Sequence, residues 1–140
     1  MKLHKKEIAK RQIDTAIELF LERKDYLSVV TLAGAGEEIL GKLLTRHSKK
    51  NMMDCLKELD IQISGGRESK IVNEEINGFR NNLKHANDED ENEIDMADGQ
   101  EHAIAMLSRA ITNYALFEGR LSSTMDQFLK WLRNNRPDLF

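Results

Sequence analysis

Six consecutive residues, RNNLKH, place an arginine, a lysine and a histidine within two turns of one predicted helix. The guanidinium of Arg80 suits phosphate oxygens, and the imidazole of His85 titrates near neutral pH. The carboxamide of Asn81 can orient either group, and Lys84 adds positive charge. Metal-free cleavage of an RNA phosphodiester needs such parts: a base for the 2′-hydroxyl proton and a cation for the charge of the phosphorane.

These side chains belong to the polar side of a fourth helix predicted over about residues 69–86. Its apolar stripe consists of Val72, Ile76, Phe79, Leu83 and Ala86. On the side away from Phe79 the helical period places Asn77, Asn81, Lys84 and His85, flanked by Arg80. Such a face is usually the solvent side of an amphipathic helix. Four asparagines within three turns are nevertheless unusual, because each costs roughly half a kcal/mol relative to alanine in a helix.

The segment RNNLKH resembles the signature of the HEPN superfamily of small helical-bundle proteins, an arginine, a polar residue and, a few residues later, a histidine. Arg80, Asn81 and His85 fall on these positions. The resemblance implies a metal-independent endoribonuclease whose composite site forms across a homodimer, or an inactive partner or binding module. Arg80 and His85 diverge on one helix, so a two-fold axis would be needed to bring them together with their copies.

A second resemblance covers more of the chain. The segments AKRQIDTAIELF, NNLKHAND and FLKWLRNNRPDL are similar to a group of uncharacterised bacterial helical proteins with an Asn-x-x-Lys-His-Ala segment. The match includes Asn81, Lys84 and His85 but does not require Arg80, and it implies no activity.

A glycine-rich segment, AGAGEEIL, lies in a predicted second helix that ends near residue 44. Glycine inside a helix costs about 1 kcal/mol relative to alanine. Gly34 and Gly41 share one side of this helix, which predicts close approach of another backbone in the bundle or in a dimer. A functional interpretation instead places Glu37 or Glu38 beside His85, as the carboxylate that orients its imidazole.

An acidic connection is predicted at about residues 87–98. Eight acidic residues and no lysine or arginine lie between positions 87 and 101. The rest of the chain contains all 21 basic residues and the other 16 of the 24 acidic residues. Fixed carboxylates repel phosphate, which favours a non-catalytic helical interaction module with an unknown partner. An EF-hand calcium loop is excluded, because Glu93 and Gly99 stand where glycine and glutamate are required. A loosely held divalent ion stays an open alternative.

The chain as a whole predicts an all-α, up-and-down bundle of four principal helices and one or two short ones, in a single domain over 1–140. Besides the second and fourth, helices are expected at about residues 5–23, 51–59, 95 or 98 to 118, and from Ser122 or Ser123, with a loop at 61–69. No zinc, di-iron, phosphate-loop or serine-elbow motif is present, so we expect no metal and no cofactor. One cysteine and no apolar membrane span make the cytoplasm the expected compartment.

Overall fold

The computed structural model describes residues 1–65, 67, 69–84 and 92–140. The described residues form an all-α fold, as predicted, with six α-helices and no strand. The helices are α1 (Lys5–Glu18), α2 (Tyr26–Arg46), α3 (Met52–Ser64), α4 (Ser69–Asn82), α5 (Gly99–Glu118) and α6 (Ser123–Asn135). A π-helical turn, Leu19–Arg23, continues α1, and a 3₁₀ turn, Pro137–Leu139, follows α6.

The central helix of the bundle is α2, which packs against both α1 and α5. Its apolar arc is wide because apolar residues and glycines occupy most of two adjoining faces, so two helices can bury it. The apolar stripe of α1 and of the turn that continues it is fully in the core: Ala9, Ile13, Ala16, Ile17 and Phe20. The core also contains Ala103, Leu107, Ala110 and Tyr114 of α5 and Met125, Phe128 and Leu132 of α6.

Two side-chain caps and one glycine define three of the helix ends. The Asp25 carboxylate accepts a hydrogen bond from the backbone N–H of Ser28 at 3.3 Å, which starts α2. The Ser122 hydroxyl accepts one from the backbone N–H of Met125 at 3.2 Å, which starts α6. Gly119 ends α5 in a left-handed conformation with φ 77°.

Helix α3 extends beyond its prediction, because the loop expected at 61–69 is helical as far as Ser64. A capping box between Asn51 and Asp54 starts this helix, and Gly65 ends it with φ 81°. The loop prediction was therefore wrong for residues 61–64. The acidic connection follows α4 in the chain. Of this connection only residues 92–98 are described, and they lie outside any helix.

The three glycines of α2 lie against different parts of neighbouring residues, backbone in one case and side chains in the others. A β-carbon at position 36 would lie 3.1 Å from the carbonyl oxygen of Ala9, so the backbone of α1 approaches closely there. At Gly34 and Gly41 the close neighbours are instead the side chains of Arg80 and Asn51. The prediction of another backbone against the Gly34 and Gly41 side was wrong. None of the described helices has the length and apolar character needed to cross a membrane.

Candidate functional site

The arginine of the RNNLKH segment lies where α4 meets α2. The Arg80 side chain crosses α2 at Gly34, where its Cδ would lie 2.6 Å from a β-carbon at that position. Arg80 is half-buried, its Nε is shielded from solvent, and no described residue accepts a hydrogen bond from that nitrogen. The described residues also offer Arg80 no carboxylate at ion-pair distance.

A buried ion pair between Glu37 of α2 and Arg109 of α5 lies next to Arg80. Glu37 is 3% exposed and Arg109 is 8% exposed, and the Arg109 Nη2 contacts the Glu37 Oε2. Burial raises the pKa of Glu37, while the charges of Arg109 and Arg80 act in the opposite direction and only partly offset it. Burial likewise lowers the pKa of Arg109, which Glu37 opposes and Arg80 reinforces. Both results place Arg80 within electrostatic reach of the pair.

Asn77 of α4 supplies a hydrogen-bond acceptor to Arg109, whose buried Nε has no partner among the described residues. The Arg109 Nη2 donates to the Asn77 Oδ1 at 3.0 Å and to the Sδ of Met53 in α3 at 3.1 Å. Asn77 is only 9% exposed, so its prediction as part of the solvent-facing side of the fourth helix was wrong. The physical reason is that α3 covers this side of α4 and that Arg109 supplies a donor for the buried carboxamide.

A second buried amide, Asn113 of α5, joins three helices. Its Nδ2 donates to the Glu37 carbonyl oxygen at 3.2 Å, and its Oδ1 accepts from the backbone N–H of Met52 at 2.9 Å. The side chain is inaccessible to solvent. Asn113 therefore ties the first turn of α3 to α2 and α5, next to the Glu37–Arg109 pair.

A small cavity of about 40 Å³ opens beside Arg80 and Arg109, with the imidazole of His102 on its wall. The His102 ring stacks on Phe79 with ring centroids 3.9 Å apart and planes 3° from parallel. The remaining lining residues are apolar: Val30, Ile76, Ala105 and Met106. Two guanidinium groups against the single Glu37 carboxylate leave one excess positive charge, which suits a bound anion.

The structure places the sequence-predicted site residues in different surroundings. Arg80 and Glu37 are brought within electrostatic reach of each other, and both also interact with Arg109. Glu38 is exposed and pairs with the Lys42 Nζ at 3.7 Å, on the outer side of α2. Asn81 is half-buried and Lys84 is exposed in the turn after α4, whereas His85 lies outside the described residues.

Sequence reasoning missed Arg109, His102 and Asn113, which form the α5 side of the site. The missed signal is a series of polar residues at helical spacing in α5. Positions 102, 106, 109 and 113 follow the i, i+4, i+7, i+11 pattern, and three of them are polar. Arginine and asparagine on a core-facing stripe indicate buried polar partners, because an unpaired polar group there would be costly.

Larger concave surfaces lie elsewhere. A groove of about 510 Å³ at the start of α2 is mainly apolar, and Asp25 is the one charged group among its described lining residues. Among its described lining residues this groove therefore has no positively charged side chain that could bind an anion. In the part of the chain that the structure describes, no three histidine, cysteine or acidic side chains gather as metal ligands. Comparisons of the chain with protein-family models, curated proteins and solved structures find no match.

Proposed function

We propose that this protein is a HEPN-like homodimer that binds RNA at the surface around Arg80 and cleaves it without a metal ion. The observation that carries the proposal is the environment of Arg80. Arg80 is half-buried, has no carboxylate at ion-pair distance among the described residues, and lies beside the buried Glu37–Arg109 pair, so the three groups together carry one excess positive charge, that of Arg80. Phosphate oxygens are the natural ligands of such an arginine.

The proposal gives each residue of the motif a task. Arg80 binds the scissile phosphate, and Lys84, exposed in the turn after the same helix, adds charge along the RNA backbone. His85 transfers a proton, and Asn81 orients the reacting groups. Glu37 positions the arginines of the site, because its buried carboxylate forms an ion pair with Arg109 and attracts Arg80.

The test uses purified protein and single-stranded RNA in excess EDTA. We expect cleavage that leaves 2′,3′-cyclic phosphate ends, and we expect Arg80→Ala and His85→Ala to abolish it without unfolding the protein. Arg133→Ala, which removes an exposed arginine of α6 outside the site, is the matched control and should cleave as the wild type does.

Binding is measured separately from cleavage, by filter binding across a salt series. Arg80→Ala should weaken binding and reduce its salt dependence, since one fewer phosphate contact releases fewer counterions. The proposal is contradicted if the RNA stays intact in EDTA and the wild type and Arg80→Ala bind RNA with equal affinity.

A second candidate, a non-catalytic helical interaction module, is supported by the apolar surface of α3. Leu59 and Ile63, four residues apart on one face of α3, are both exposed, Ile63 to 79%. The described side chains of α3 include no fully buried one. Clustered exposed apolar side chains of this kind mark protein–protein contacts.

The interaction module is tested by the doubly substituted variant Leu59→Lys, Ile63→Lys. We expect it to shift the protein towards monomer in light scattering after size-exclusion chromatography. Leu116→Lys changes an equally apolar, exposed residue of α5 and should leave the mass unchanged. The pure interaction module is favoured if self-association is lost in the double variant while no RNA binding is detected in either protein.

A further inference from the structure

A histidine of α5 belongs to the surroundings of Arg80. His102 lies on α5, yet its ring stacks on Phe79, the residue immediately before Arg80, at a centroid separation of 3.9 Å. The imidazole and the Arg80 and Arg109 side chains line the same cavity of about 40 Å³. His102 is otherwise exposed, so its edge can meet a ligand bound at Arg80.

Metal-free RNA cleavage transfers two protons. The 2′-oxygen attacks phosphorus and gives its proton to a base, forming the bond of the 2′,3′-cyclic phosphate. The bond from phosphorus to the 5′-oxygen breaks, and that oxygen takes a proton from an acid. The RNNLKH segment contains one imidazole, so a single copy of the motif supplies one of the two proton-transfer groups.

We infer that His102 is the other proton-transfer residue of the Arg80 site, acting on the same phosphodiester that Arg80 binds. The inference rests on the proposed function and deepens it, since it places an imidazole from α5 beside the motif of α4. It also means that part of the catalytic set is present within one chain.

The surroundings of His102 suit proton transfer. Stacking on Phe79 fixes the plane of the imidazole and leaves its edge free to reach a phosphate oxygen. The charged groups that line the shared cavity in the described part of the chain are Arg80 from α4 and Arg109 from α5, with Glu37 of α2 behind Arg109. No described carboxylate lines this cavity to compete for the proton.

The experiment compares single-turnover RNA cleavage by wild type, His102→Gln and His102→Ala in EDTA. General acid–base catalysis contributes about 10²- to 10⁴-fold, so we expect a loss of that order in both variants with RNA affinity unchanged. His47→Ala is the matched control, because His47 is also exposed and also lies against a phenylalanine, Phe117, at 5.7 Å between centroids. It should cleave at the wild-type rate.

Two readouts separate proton transfer from a packing role. The wild-type rate should follow a bell-shaped pH profile, and His102→Gln should lose one limb of it. Added imidazole should restore part of the cleavage by His102→Ala, which a merely structural histidine would not allow. Circular dichroism and melting of each variant report whether the loss of the ring on Phe79 disturbs the fold.

The outcomes distinguish this inference from the proposed function. If the wild type cleaves RNA and His102→Gln cleaves within twofold of it with an unchanged pH profile, the His102 assignment is overturned and the Arg80 site stands. If the wild type leaves RNA intact, both are overturned.

Discussion

The Arg80 side chain of α4 lies directly on Gly34 of α2, where any β-carbon would come within 2.6 Å of Cδ and 3.2 Å of Cγ of the arginine. This contact explains a glycine inside a helix, where alanine would be more favourable by about 1 kcal/mol. The glycine lets the guanidinium extend past α2 towards Glu37 and Arg109. The path of the proposed phosphate-binding arginine is thus set by a residue on another helix.

Gly34→Ala should impair RNA binding more than it impairs folding. The new methyl group displaces the flexible Arg80 side chain, while the helix gains about 1 kcal/mol of intrinsic propensity. We expect weaker RNA binding, measured by filter binding, with a melting temperature close to that of the wild type. Gly78→Ala is the control, since a β-carbon there meets nothing within 4 Å. Equal RNA affinities of Gly34→Ala and wild type would show that the position of Arg80 does not matter for binding.

Gly36→Ala should destabilise the bundle itself. Its β-carbon would lie 2.8 Å from the Ile13 Cγ1 and 3.1 Å from the Ala9 carbonyl oxygen, a backbone atom that cannot move without shifting α1. Overpacking of this kind costs about 1–3 kcal/mol, which exceeds the gain in helix propensity. Urea unfolding should show a lower midpoint. A midpoint at or above that of the wild type would mean that α1 withdraws freely.

Glu37→Gln tests the pKa that burial raises. A carboxyl whose folded pKa lies above its unfolded value binds protons more readily in the folded state. Its contribution to stability is therefore fully present below the unfolded pKa and is lost as pH rises through the folded pKa. The free energy of unfolding of wild type minus that of Glu37→Gln should fall as pH rises from acidic values through this window.

The measurement for Glu37→Gln is urea unfolding at a series of pH values, with Glu38→Gln as the control for removing a neighbouring carboxylate that is exposed. A free-energy difference that instead grows with pH would mean that Arg109 and Arg80 outweigh burial and depress the Glu37 pKa.

The fold followed from the sequence because its helices are separated by strong local signals. The apolar stripe from Ala9 to Phe20, the Asp25 and Ser122 caps and the terminating Gly119 act within a few residues of the helices they define. The error at the end of α3 has the same origin. Gly65 is the left-handed C-cap of α3, and the prediction placed it inside a loop that began four residues earlier.

The site was less predictable because its contacts join residues that are distant in the chain. Asn77 meets Arg109 across 32 residues, and Asn113 meets Glu37 across 76. Helical periodicity indicates which face of a helix is polar, but it does not indicate whether another helix covers that face. Arg80 was found through its motif, whereas Arg109 and His102 required the packing of α5 against α4.

Asn113→Ala should loosen α3 selectively. The substitution removes the acceptor of the Met52 N–H and the donor to the Glu37 carbonyl oxygen in a site without solvent access. A buried group left unpaired costs about 1–3 kcal/mol. Because Met52 is the first residue of α3, we expect faster amide hydrogen exchange across 52–64 than in the wild type, with α1 less affected.

The control for Asn113→Ala is Asn135→Ala, whose exposed side chain donates only to the Trp131 carbonyl oxygen in its own helix. Such a surface change should alter stability by less than about 0.5 kcal/mol and leave the exchange of α3 unchanged. If Asn113→Ala lowers protection equally in α1 and α3, Asn113 stabilises the bundle as a whole and does not anchor α3. Selective loss in α3 would also expose the Met53 contact with Arg109 to solvent, linking this anchor to the charge balance beneath Arg80.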